Sequence, residues 1–80
     1  MEIVKHIEKK NRYRVMIWPG GIVNVDDLEA GYTIYQSKNQ LFMETLAEVL
    51  NLFNDNGFEP SIQITKDGLA VNVSFKQDNN

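Results

Sequence analysis

Apolar residues recur along this 80-residue chain with two different periods, and the change of period marks out its elements. Between residues 38 and 56, Phe42, Leu46, Val49, Leu50 and Phe53 recur at helical spacing, while Glu44, Glu48, Asn51 and Asp55 line the opposite side. Such a stripe predicts an amphipathic helix. Ser37 followed three residues later by Gln40 matches a capping box at its start. At its end Gly57 stands where the chain needs a positive φ, Phe58 is placed to pack back on Phe53, and Pro60 bars continuation.

Beyond the helix the period drops to two. In "SIQITKDGLAVNVSFK", Asp67-Gly68 reads as the loop of a tight hairpin. That loop sets Lys66 opposite Leu69, Ile64 opposite Val71 and Ile62 opposite Val73, with Phe75 on the same face. Ser61, Gln63, Thr65, Ala70, Asn72 and Ser74 form the other. A second hairpin is predicted in the first third. Ile3 and Ile7 belong to one strand, and Tyr13, Val15 and Ile17 to the next, around a turn at Lys9-Lys10-Asn11. "WPGG" at 18–21 ends it. "IVNV" at 22–25 reads as a short strand, "DDLEAG" as a helical turn or a loop, and "YTIY" at 32–35 as a strand feeding the helix.

The order β-β-(β)-α-β-β predicts an α+β fold: two layers, an antiparallel sheet of four or five strands with one helix across a face. One domain spans 1–76, and 77–80 form a frayed tail. Its expected core combines Ile3, Ile7, Val15 and Ile17, the helix stripe, and Ile62, Ile64, Val71, Val73 and Phe75. A domain this small gains little from one core, so self-association is a natural source of added burial. Leu41 and Leu52, on the shoulder of the helix, are the candidate residues for it. A monomer whose 19–31 segment covers that shoulder is the alternative.

Composition removes several classes of chemistry. With no Cys there are neither disulfides nor thiolate metal sites. The opening lacks the apolar run of a signal peptide and no run reaches membrane-spanning length, which points to a soluble cytoplasmic domain. Nine Asn against two Arg and three Ala is the usage of an AT-rich genome, as in a low-GC bacterium or its phages. His6 is the only histidine, so a Ser or Thr nucleophile has no obvious base. Asp26, Asp27 and Glu29 lack the spacing of a calcium loop and read as a solvated acidic turn. The glycines of "PGGIVNVDD" are followed by acids, not by a phosphate-binding helix start. No enzyme, cofactor or metal is expected.

Charge is distributed unevenly over a net of −3. Residues 1–14 carry Lys5, Lys9, Lys10, Arg12 and Arg14 against Glu2 and Glu8. Residues 26–59 carry seven acids against Lys38 alone. The basic stretch, flanked by Tyr13 and Trp18, reads either as the solvated rim of a hairpin or as a docking patch for an acidic surface. It offers phosphate contacts but no base-reading groups. The sequence thus points to a small non-catalytic protein-binding module that inhibits or regulates a larger protein, a profile shared by phage-encoded inhibitors. Lys5, Lys9, Lys10, Arg12, Tyr13, Arg14 and Trp18 are its candidate contact residues. A nucleic-acid accessory protein using the same hairpin is the alternative.

Overall fold

A computed structural model of the chain describes residues 11–76. The first strand of the predicted N-terminal hairpin and the 77–80 tail lie outside these residues. Five strands and one helix follow in the order β1 (Tyr13–Ile17), β2 (Val23–Asp27), β3 (Tyr32–Ser37), α1 (Gln40–Asp55), β4 (Phe58–Thr65) and β5 (Gly68–Phe75). The fold is α+β, all strand pairs are antiparallel, and α1 packs on β1, β2, β3 and β4. The strands are divided between a three-stranded sheet, β1-β2-β3, and a two-stranded one, β4-β5.

Residues 22–31, ambiguous in sequence, supply β2, the centre of the larger sheet. Val23 and Val25 alternate on the helix side of β2 and are among the most deeply buried side chains. Trp18 N–H donates to the Ile22 carbonyl at 2.8 Å and closes the β1–β2 connection across the Pro-Gly-Gly turn. β2 pairs with β3 through a register shift at Val25/Asp26, which turns Ile34 toward the core.

The helix is shorter than expected and is capped differently. Asn39, not Ser37, is the N-cap: its Oδ1 accepts from the Phe42 N–H at 3.0 Å. Ser37 Oγ accepts from the Asn39 N–H and so shapes the approach to the cap, while Gln40 turns outward to donate to Glu44. The buried face is Met43, Leu46, Ala47 and Leu50. That face is rotated by about 60° from the predicted stripe. Small Ala47 and adaptable Met43 let the helix approach the β2 valines closely. Phe42 and Phe53 move to the flank, where they meet Tyr35 and Phe58 edge-on at 6.3 and 6.2 Å. The helix stop follows the sequence reading. Gly57 has φ 89° and its N–H donates to the Asn54 carbonyl.

The β4–β5 hairpin forms in a register two residues away from the one the turn suggested. Ile64 pairs with Leu69, Ile62 with Val71, Pro60 with Val73 and Phe58 with Phe75. Lys66 and Asp67 keep negative φ and make the turn, and Gly68 takes the positive φ (145°) as the returning strand begins. A slide of two residues leaves every side chain on its own face, so the predicted alternation survives. Burial does not. Ile62, Leu69 and Val71 pack against the core, but Ile64, Val73 and Phe75 are 65%, 41% and 80% exposed. Ile17, also expected inside, is exposed.

The capping geometry sets a stability ranking. Asn39→Ala should cost about 1 kcal/mol in urea unfolding and Ser37→Ala measurably less. A capping box rooted at Ser37 would reverse that order.

Candidate functional site

The basic stretch identified in the sequence is taken apart by the fold. Lys5, Lys9 and Lys10 lie outside the described residues. Arg12 does not reach solvent as a free cation. Its side chain is 9% exposed and that of Asp27 6%. The guanidinium binds Asp27 in bidentate fashion, Nε to Oδ1 and Nη2 to Oδ2, both at 2.9 Å. It binds Glu59 in the same way, Nη1 to Oε1 at 2.8 Å and Nη2 to Oε2 at 2.9 Å. A further N–H donates to Asn54 Oδ1 at 3.3 Å. A planar fork of five donors suits this double clamp, which an ammonium group could not reproduce. Arg12 therefore ties the end of β2, the last turn of α1 and the start of β4 together.

Asp27 corrects the reading of residues 26–29 as a solvated acidic turn. Besides Arg12, its Oδ1 accepts from the Glu29 and Ala30 N–H groups at 3.0 and 3.1 Å, which organises the turn into β3. Its oxygens are occupied and hold no room for a cation. Burial alone would push its carboxyl up, but the Arg12 hydrogen bonds and the two backbone amides outweigh it and hold it below the usual range. Glu59 is lowered chiefly by its Arg12 hydrogen bonds. The two carboxylates in turn raise Arg12.

The remaining candidates separate. Tyr13 is 3% exposed and lies in the core, its phenol pushed up to about 12 mainly by burial. Its backbone N–H and C=O both bond the side-chain amide of Asn51, at 2.9 and 3.0 Å. Asn51 thus faces the sheet rather than the exposed stripe where the sequence placed it. Arg14 lies on the outer face of the larger sheet and pairs with Asp26 at 3.3 Å, which in turn accepts from the Thr33 hydroxyl. Trp18 is half-exposed in the β1–β2 turn. Leu41 and Leu52 are 74% and 61% exposed. They point away from the core on the side of α1 opposite Leu50, within about 20° of one another around the axis.

A concavity of about 1080 Å³ lies between β1 and α1 and is open to solvent. Tyr13, Val15 and Ala47 are among the residues that line it, with Glu44 and Glu48 on the helix side. Among the described residues that line it there is no nucleophile–base pair. Among the described residues no group of His, Asp or Glu side chains is placed to hold a metal ion, and no helix is long and apolar enough to cross a membrane.

A different surface, not singled out by sequence reasoning, stands out. The register puts Phe58, Pro60, Ile62, Ile64, Leu69, Val71, Val73 and Phe75 on one face of the hairpin, the side that α1 covers. The helix reaches the β4 half. Rings step outward from it, Phe53 to Phe58 and Phe58 to Phe75 at 5.1 Å, and end with Phe75 four-fifths in water. With Val73 on β5 and Ile64 near the turn end of β4, this makes an apolar shelf across the hairpin, the partly buried Ile62, Leu69 and Val71 lying between its exposed ends. The available signal was arithmetic: eight in-phase apolar positions on a hairpin, plus a broad helical arc, exceed what one helix can cover.

Comparison with protein-family models, with curated proteins and with solved structures returns no match. Nothing about function can be carried over from another protein, and the geometry of the chain itself has to supply the argument.

Removing the Arg12 guanidinium, as in Arg12→Met, leaves Asp27 buried without its partner and should cost about 3 kcal/mol. Glu59→Gln should cost about 1 kcal/mol, because Glu59 is 44% exposed and its pair is screened. Both are read by urea unfolding at neutral pH. Since the folded state lowers Asp27 and Glu59, their stabilisation is complete above the ordinary carboxylate range, near pH 4. It is lost as pH falls through the lower folded-state values. The wild-type urea midpoint should therefore drop in acid, and this acid limb should flatten in Arg12→Met.

Proposed function

We propose that this chain is a small non-catalytic module that acts by binding a larger protein as its inhibitor or regulator, with the hairpin shelf as its contact surface. The observation that carries this reading is the exposure of Ile64, Val73 and Phe75 together on the helix side of β4–β5. Scattered exposed apolar residues are ordinary, but a contiguous apolar face bounded by polar strands is the character of a protein-contact surface. The opposite face of the hairpin is polar, with Gln63 and Asn72 hydrogen-bonded across the strands. It is suited to remain in water when the shelf is covered.

With Lys5, Lys9 and Lys10 outside the described residues, the nucleic-acid alternative draws less support from Arg12 and Arg14. The first has its donors committed to carboxylates and the second is paired with Asp26, so neither offers a phosphate an unshared charge.

Immobilised protein tests the reading by capture from lysate of the source cell. Wild type should recover a specific protein. Ile64→Lys with Val73→Lys on the shelf should abolish recovery, while Gln63→Lys with Ser74→Lys on the polar face should leave it intact. Equal recovery by all three proteins would overturn the assignment of the shelf. Oligonucleotide binding that weakens steeply with salt would overturn the proposed function itself.

A further inference from the structure

We infer that in the free protein the shelf is covered by a second copy of the chain, whose α1 ridge of Leu41 and Leu52 lies along it. The inference rests on the shelf being a protein-contact surface and names what occupies it when no other protein is present.

Among the described residues, each copy carries two apolar features left wholly or partly exposed, and they match in form. The ridge is linear: Leu41 and Leu52 are separated by about 16 Å along the helix axis. The shelf is an elongated strip, with about 20 Å of strand between Leu69 and Phe75, exposed at Val73, Phe75 and Ile64 and partly buried at Leu69 and Val71. A ridge on a strip is ordinary helix-on-sheet packing, the kind α1 already makes with its own sheet. Because every copy has both parts, a two-fold dimer satisfies ridge and shelf twice.

Charge favours this pairing over ridge on ridge. α1 has no Lys, Arg or His, and Glu44 and Glu48 stand beside its ridge. Two ridges placed together would oppose four carboxylates. The shelf has Lys66 beside Asp67 at the hairpin turn and Lys76 just past β5, where its ammonium donates to the Asn54 carbonyl, while the nearby Glu59 is occupied by Arg12. The helix of a second copy would therefore bring its acids to a strip that, among the described residues, presents no opposing cluster of carboxylates.

The area is sufficient. Leu41, Phe42, Leu52, Ile64, Val73 and Phe75 are each at least 41% exposed. Together they offer on the order of 600 Å² of apolar surface per copy, close to the ~800 Å² per partner of a standard interface before any polar rim is added.

Sedimentation equilibrium of the purified full chain across micromolar concentrations tests the inference. Wild type should reach a dimer mass. Leu41→Glu with Leu52→Glu (ridge variant) and Ile64→Lys with Val73→Lys (shelf variant) should each be monomeric, with unchanged far-UV circular dichroism. An equimolar mixture of the two variants should recover dimer. In that mixed species one wild-type ridge meets one wild-type shelf, and one glutamate ridge meets one lysine shelf. Ridge-on-ridge or shelf-on-shelf association gives no such recovery. The milder pair Leu52→Ala and Ile64→Ala, which truncates exposed side chains, should weaken the dimer and covers the case in which a charged variant unfolds. A wild type that stays monomeric, a dimer that survives both variants, or a mixture that stays monomeric would overturn the inference. If wild type is monomeric and shelf variants still lose a captured partner, the proposed function stands and the second copy alone is ruled out.

Discussion

The double clamp at Arg12 is the interaction on which the arrangement of the two sheets depends. Among the described residues, the strands of the β1-β2-β3 sheet and of the β4-β5 hairpin pair only within their own sheet. What fixes one against the other is the helix between them, the contacts of Ile62, Leu69 and Val71, and one guanidinium shared by Asp27 and Glu59. Apolar contacts tolerate sliding, whereas a planar fork held by two carboxylates does not. A buried ion pair contributes modestly to net stability, because desolvation offsets much of its attraction. Its value here is geometric, since it permits one placement of the hairpin.

That placement has a consequence for burial. Attached at the end of β2 and the last turn of α1, the hairpin is anchored through the start of β4, and the end of β5 paired with it is carried outward. Pro60 is buried while its cross-strand neighbour Val73 is not, and Leu69 packs on the core while its neighbour Ile64 is exposed, so the boundary of the core runs obliquely across the hairpin. The surface then has two characters. Polar ladders such as Asn24 with Gln36 and Gln63 with Asn72 cover one side of the strands, and uncovered apolar side chains remain on the other. Much of the negative charge lies on the outward side of the helix, apart from both.

What could be read from the sequence was local, and what could not be read was long-range. The helix stop at Gly57, the pairing of Phe58 with Phe53 and the alternation of the hairpin all depend on residues within one turn or one loop. The hairpin register shows the limit of such reasoning, because a shift of two residues keeps the same faces and so leaves no trace in the alternation. The rotation of α1 depended on Phe42 and Phe53 finding aromatic partners on β3 and β4. Arg12, Asp27 and Glu59 are separated by 15 and 47 residues, and nothing near Arg12 distinguishes it from the lysines beside it. The candidate surface was legible in part. Leu41 and Leu52 are outward as expected, but Ile64, Val73 and Phe75 were assigned to the core because alternation reports which residues share a face and not whether that face is covered.

Asn51 has a further significance. A primary amide has the same donor and acceptor as a peptide unit, and this one is delivered from the helix to the outward-facing N–H and C=O of Tyr13. It acts as one residue of a neighbouring strand that carries no chain onward. A foreign strand approaching that end of β1 finds the first bonding position of the ladder taken, and sheet growth by edge-to-edge stacking is interrupted there. Among the described residues, Asn51 thus closes the first outward bonding position of β1 to a further strand.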